Sequence, residues 1–296
     1  MNPAWVTDML FTLLISIFTV YLYPQGQTVD LGIVENGAEV TLGPGEDNGL
    51  RGEEWVVGPT GNTYNIGDGA RMDIYLPDDP NGLMVINCPG GAYLFVCSET
   101  EGRHTAEWMA SQGVTVCNLY YRVPNGHKEV PLRDVQNAFR YCRFHAADWG
   151  VRKIGVMGYS AGGHLAASAS TLYVDEDTKP DFSILIYPVI SMADDLTHRL
   201  SRKNLLGENP SEADIEHYSL QNRVNGDTPE TFLALSADDP AVPIGNSLVY
   251  FDALRHCGVK STMHIYPEGG HGWGFDLLKN YLDTFESDLL AFLKKL

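Results

Sequence analysis

The chain has 296 residues, 44% of them hydrophobic and 10% aromatic, enough for one large domain to bury most of its apolar surface. Thirty-eight acidic residues against twenty basic ones leave a formal charge of -18, which repels phosphate backbones and anionic lipid surfaces and favours neutral or cationic substrates. A nucleic-acid partner is excluded on that ground, and the local signatures of nucleotide and zinc sites (Gly-x-Gly-x-x-Gly, Gly-x-x-x-x-Gly-Lys-Ser/Thr, His-Glu-x-x-His, Cys-x-x-Cys) do not occur.

In chain order, Met9 to Tyr23 ("MLFTLLISIFTVYLY") carries no charge and is as long as a secretory h-region, short of the roughly 20 residues of a membrane span. Residues 1–23 are expected to be a signal peptide, which implies a secreted or periplasmic protein that meets a membrane only if the segment is not cleaved. The preceding "MNPAWVTD" has no Lys or Arg, and Asp8 is acidic, so an uncleaved anchor and a helix of the mature protein are the alternatives. Residues 24–70 hold eleven glycines in 47 positions, eight acidic residues and one basic residue, Arg51, and read as a loop and edge-strand lead-in.

From residue 71 to 296 the pattern is regular and predicts a single domain. "RMDIYLP" alternates Met72, Ile74 and Leu76 as a half-buried strand does, while "LMVIN", "VTVCNLY", "KIGVM", "FSILIY", "TFLAL" and "TMHIY" read as buried strands. Helices are predicted over Glu101–Gln112, Leu132–Trp149, Ala161–Tyr173, Asn246–Cys257 and Leu277–Lys295. The second has Pro131 placed for its first turn and Gly150 just past its end. Strand and helix alternating in this way predict an α/β fold, a mostly parallel central sheet with helices on both faces. Residues 194–221 interrupt it as a polar, helical insertion, a candidate lid or wall. Five cysteines, an odd number spread through strands and helices, read as buried free thiols rather than a disulfide framework.

Chemistry concentrates at four places. "GYSAG", Gly158 to Gly162, follows a strand and opens an alanine-rich helix, the setting in which a serine is forced to a sharp apex with its hydroxyl exposed. Gly158 and Gly162 remove side chains that would collide as strand and helix pass, and the Ala161 N–H lies at a helix N-terminus, where partial positive charge can meet an oxyanion. "CPGGAY" follows a strand early in the sheet, "SADDPAVP" puts acids directly after a later one, and "GGHGWG" puts a histidine on a glycine-rich loop after the last. Ser160, Asp239 and His271 then stand 79 and 32 residues apart in the chain order serine, acid, histidine.

From about Met72 onward the chain resembles the α/β-hydrolase superfamily, and within it the small acetylxylan and acetyl esterases. The likeness rests on "CPGGAY", "YYRVP", "GYSAGGHLAAS", "THRLSRKNLLG", "DDPAVP" and "GGHGWG" in consistent order. It implies a serine esterase that removes acetyl or other short acyl groups from carbohydrate, with acetylated xylan or xylo-oligosaccharide foremost and no metal or organic cofactor. Ser160 is the implied nucleophile, His271 the base and Asp239 the acid, placed by the family's Asp-x-x-Val-Pro pattern with Val242 and Pro243 in register; Asp238 is its rival. The N–H groups of Gly91, Ala92 and Ala161 are the implied oxyanion hole, in a loop where Pro89 stands at the family's more usual histidine. Tyr93, Tyr159 and Trp273 adjoin these motifs and are candidates to line the pocket and stack on a sugar, as His198 of the insertion is for substrate contact. His164, four residues past the serine, reads as a local hydrogen-bonding residue. A small-molecule carboxylesterase or peptidase of the same fold, and a non-catalytic binding protein built on it, are the other readings.

Overall fold

The structure, a computed structural model, describes residues 47–50, 52–53, 56–67, 69–275, 278 and 280–296, and the backbone of 27–31, 34–35 and 38–39. The apolar segment of residues 1–23 lies outside them. Eight strands form one sheet: β1 (Gln27–Leu31), β2 (Ala70–Tyr75), β3 (Leu83–Cys88), β4 (Thr115–Tyr120), β5 (Lys153–Tyr159), β6 (Phe182–Ile186), β7 (Glu230–Ser236) and β8 (Ser261–Tyr266). Their spatial order is β1-β2-β4-β3-β5-β6-β7-β8. β2 runs antiparallel to both its neighbours, and every other pair is parallel.

Seven α-helices are found among the described residues: α1 (His104–Ser111), α2 (Val130–His145), α3 (Ser160–Thr171), α4 (Arg199–Leu206), α5 (Glu212–Tyr218), α6 (Gly245–His256) and α7 (Leu282–Leu293). Two cores lie on opposite faces of the sheet. Met84 and Ile86 of β3 pack with Phe139 of α2, Leu165 of α3 and Tyr250 of α6; Val85, between them in sequence, packs on the other side with Met109 of α1 and Phe285 and Leu289 of α7. A strand covered on both faces needs apolar residues at every position, so β3 is buried throughout and its period of two disappears into a continuous apolar run.

All seven predicted strands and five predicted helices are present, with four adjustments, the first being that the helix predicted from Leu277 begins at Leu282. "TMHIY" is not buried: β8 is the terminal strand with a single neighbour, and Ile265 is 41% exposed. α2 ends at His145, and five turn residues carry the chain to Gly150 at φ +66°. A π-helical turn, Ser98–Arg103, precedes α1 and contains the predicted start at Glu101. The thiols are all free, but only Cys88, Cys117 and Cys142 are buried; Cys257 is exposed and Cys97 partly so. Upstream, β1 pairs along the sheet edge, and Val56–Val57 and Asn62–Tyr64 of the lead-in join Val96–Cys97 in a small antiparallel sheet. The 194–221 insertion holds α4 and α5.

Candidate active site

In a sheet wound this way, the open groove lies beyond the carboxyl ends of the strands. β5 delivers its last residue, Tyr159, directly to Ser160, the first residue of α3, with no intervening loop. Such a tight corner forces Ser160 to φ +51°, a conformation that costs a non-glycine residue of order 1–3 kcal/mol. The corner closes only because of its glycines. A Cβ on Gly158 would strike the Gly162 carbonyl, and one on Gly162 would strike the carbonyls of Cys88 and Pro89 at the end of β3.

Around Ser160 the other strand ends assemble the rest. His271, on the loop after β8, has its Nε2 2.8 Å from Ser160 Oγ and its Nδ1 2.6 Å from Asp239 Oδ2, on the loop after β7. An ionised carboxylate can only accept, so Nδ1 carries the ring proton and Nε2 is left with a lone pair facing the serine hydroxyl. The Asp239 side chain is 2% exposed and that of His271 is 21% exposed. Asp239 Oδ1 accepts from the N–H groups of Ala241 and Val242 at 2.8 and 2.9 Å, which fixes the carboxylate by local backbone. Asp238 faces elsewhere, accepting the Gly270 N–H at 2.8 Å.

The loop after β3 lies against this corner: a Cβ on Gly90 would come within 3.0 Å of Ser160 Cβ and 2.9 Å of the Tyr159 carbonyl. Gly91, Ala92 and Tyr93 take φ of +129°, +53° and +59°, three consecutive residues in a region that favours glycine. Strain of that kind persists only where surrounding contacts over-determine it. Here the carbonyls of residues 89 to 92 are each bonded, to Tyr121 Oη at 2.8 Å, Cys97 N at 2.9 Å, Leu94 N at 2.9 Å and Asn204 Nδ2 at 2.8 Å respectively. Asn204 belongs to α4, so the insertion acts as a brace on this loop.

Tyr93, Tyr159 and Trp273 do not line a pocket. They are 2%, 0% and 0% exposed. The Tyr93 hydroxyl bonds His164 Nδ1 at 2.9 Å, the Tyr159 hydroxyl meets Thr105 Oγ1 at 2.7 Å, and the Trp273 ring packs between Tyr187 and Phe285. Each flanks a site residue in sequence but turns its ring inward to the cores. The His164 imidazole is not bonded locally either; it bridges the Tyr93 hydroxyl at 2.9 Å and the Tyr218 carbonyl of the insertion at 2.8 Å, 71 and 54 residues away. His198 stands just before α4, half-buried, making no side-chain bond to the helix N–H groups but with Nδ1 2.8 Å from Ser201 Oγ. Burial holds its pKa below the usual histidine range, His271 adds to that and Asp239 opposes it, so His198 stands within electrostatic reach of the histidine and acid.

Three residues escaped sequence reasoning. Glu101 reads as one more acid among Glu99 and Glu107, and Asn204 as a polar helix residue; Tyr187 sits at the end of an apolar strand. Their partners are 11 to 112 residues away, and no local pattern marks them.

The chain matches the BD-FAE family over residues 72–254. It is 37% identical to an acetylxylan esterase of Xylanibacter ruminicola over 242 residues, 79% of this chain and 50% of that protein. Endo-1,4-beta-xylanase B of Butyrivibrio fibrisolvens is 32% identical over 213 residues, 66% of this chain and 33% of the xylanase. The chain thus spans half or less of the length of these two relatives. Among solved structures, an acetyl ester-xyloside bifunctional hydrolase from Caldicellulosiruptor lactoaceticus superposes with a TM-score of 0.70 at 31% identity, covering 90% of this chain and 97% of that one. With a serine, histidine and acid brought together on the ends of a mostly parallel sheet, this chain has the α/β-hydrolase fold and belongs to the BD-FAE family.

Proposed function

We propose that this protein is a serine esterase that removes acetyl groups from carbohydrate, with acetylated xylan or xylo-oligosaccharide as substrate. The observation that carries the reading is the continuous hydrogen-bonded chain Ser160–His271–Asp239 beside a strained, glycine-rich loop. Its similarity to an acetylxylan esterase and to an acetyl ester-xyloside hydrolase supplies the substrate class.

In this reading Ser160 Oγ attacks the ester carbonyl while His271 Nε2 takes its proton, and Asp239 holds the ring and stabilises the imidazolium. The loop carbonyls of residues 89–92 being bonded to the protein, its N–H groups at Gly91 and Ala92 join that of Ala161 to receive the oxyanion, each worth roughly 3 kcal/mol in the transition state. His271 returns the proton to the departing sugar hydroxyl. Water, deprotonated by the same histidine, then hydrolyses the acetyl-serine and acetate leaves. A neutral acetylated sugar is indifferent to the charge of -18, and export directed by residues 1–23, part of the same proposal, would bring the enzyme to a substrate of polymer size.

Acetate release from acetylated xylan, acetylated xylo-oligosaccharides and other acetylated glycans, beside aryl esters of increasing chain length, tests this. The expected result is fastest turnover of the xylan-derived esters, a steep fall beyond short acyl chains, and loss of about 10⁴-fold or more in Ser160→Ala. Wild-type activity in Ser160→Ala would remove the nucleophile, and a preference for long acyl chains would remove the acetyl reading.

A further inference from the structure

One buried acid has no part in the chemistry above. Glu101 is 4% exposed and lies in the π-helical turn before α1, an uncommon backbone form often found at functional sites. Its Oε2 accepts the Gly90 N–H at 2.6 Å, at the root of the oxyanion loop. Its Oε1 meets the Tyr187 hydroxyl at 2.8 Å. The Tyr187 oxygen already accepts the Gly274 N–H at 3.0 Å, so its own proton points to Glu101. Gly274 is three residues past His271, and the Tyr187 ring lies 4.8 Å from the imidazole and 4.8 Å from Trp273. Tyr187 is itself strained, at φ +37°. The backbone closes the same circuit: a Cβ on Gly274 would come within 2.8 Å of the Thr100 carbonyl, and the Glu101 carbonyl accepts Asn87 Nδ2 at 2.7 Å from β3.

We propose that Glu101 is a positioning residue of this site, a carboxylate that locks the oxyanion loop through Gly90 and the His271 loop through Tyr187 into one rigid piece around Ser160. The inference rests on the esterase reading. Two loops that must meet the same carbonyl from opposite sides gain nothing from separate order; they need a fixed mutual distance, and an error near 1 Å can cost about 100-fold in rate. Burial pushes the Glu101 carboxyl up, and the Gly90 N–H, the Tyr187 hydroxyl and the His271 imidazole offset that rise only in part. A carboxylate kept under the site at that desolvation cost is suited to the imidazolium that forms when Ser160 gives up its proton.

Steady-state kinetics of Glu101→Ala, Glu101→Gln, Tyr187→Phe and the Ala/Phe double variant on an aryl acetate, with circular dichroism and melting to verify folding, provide the test. A positioning role predicts kcat down about 100-fold in Glu101→Ala with KM within about 3-fold. Glutamine keeps an oxygen for the Gly90 N–H but turns an amide donor toward the Tyr187 hydroxyl, whose proton must then swing away, so it retains one link of the two and kcat falls about 10-fold below wild type. Tyr187→Phe loses about 10-fold, and the double variant is no slower than Glu101→Ala, because both cut one linkage. A folded Glu101→Ala at wild-type kcat, a loss confined to KM, or losses that multiply in the double variant would overturn the proposal. Should Glu101→Ala fail to fold, wild-type kcat in both Glu101→Gln and Tyr187→Phe does so. Ser160→Ala separates the two readings: if it is active, the esterase reading fails and takes this one with it; if it is inactive while the Glu101 variants are normal, only this one fails.

Discussion

Asp239 holds His271 through one oxygen and its own backbone through the other: Oδ2 lies 2.6 Å from Nδ1, and Oδ1 accepts two N–H groups at 2.8 and 2.9 Å. Among the described residues, the neighbouring Asp238 carboxylate bonds only Gly270 N. An amide at 239 would oppose a donor to the Nδ1 proton and favour the wrong tautomer, whereas an amide at 238 still offers an oxygen to Gly270. Asp239→Asn is therefore expected to lower kcat/KM by about 10⁴-fold and Asp238→Asn by no more than about 3-fold. Parallel kinetics on one aryl acetate decide it, and equal losses would return Asp238 to contention.

What could be read from the residues follows from how far each residue's partners lie. Ser160 is dictated by its own pentapeptide, because the constraint on a strand-to-helix corner is local. His271 and an acid after β7 were legible through chain order and loop position, since a doubly wound sheet brings the ends of successive strands to one edge; the choice of Asp239 over Asp238 came from the resemblance, through its Asp-x-x-Val-Pro pattern. The inward rings of Tyr93, Tyr159 and Trp273 were not legible: a one-residue step at a strand end or in a strained loop reverses the side a ring takes. Glu101 was invisible for the same kind of reason, its two bonds spanning 11 and 86 residues.

His164 makes a pH prediction. Burial holds its pKa down to about 4, opposed by the Tyr218 carbonyl, which accepts from Nε2. The unfolded chain binds that proton near pH 6.5 and the folded one only near pH 4, so between those values the unfolded state carries more protons and stability rises with pH. The contribution is complete above pH 6.5 and is lost on acidification toward pH 4, amounting to about 3 kcal/mol. Urea unfolding at steps from pH 7.5 to 4 should show wild type losing more stability than His164→Gln by about that amount. Parallel curves for the two proteins would mean that His164 does not stay neutral in the fold.

Arg122 and Asp134 supply the last prediction. Arg122, two residues past the end of β4, and Asp134, in the first turns of α2, have side chains 0% and 2% exposed. Asp134 Oδ1 accepts from Arg122 Nη2 at 2.6 Å and Oδ2 from the Arg122 backbone N–H at 2.8 Å, with Nε 3.1 Å from both oxygens. Burial raises the Asp134 carboxyl and the guanidinium opposes that shift, the balance expected of an ion pair carried into a core. Breaking such a pair strands a charge where water cannot reach it, which costs about 3–5 kcal/mol, whereas replacing both partners with apolar groups of similar size can be nearly neutral. Asp134→Asn should thus lower the urea midpoint by that amount at unchanged slope, and Arg122→Met with Asp134→Leu should recover most of the loss. The pair ties α2 to the segment after β4 through bonds that include none of Ser160, Asp239 and His271, so kcat of the surviving folded fraction is expected to stay within about 2-fold of wild type. An Asp134→Asn protein as stable as wild type would show that the remaining interactions of Arg122 compensate its charge, and a double variant no better than the single one would place the stabilisation in the geometry of the pair rather than in the cancellation of its charges.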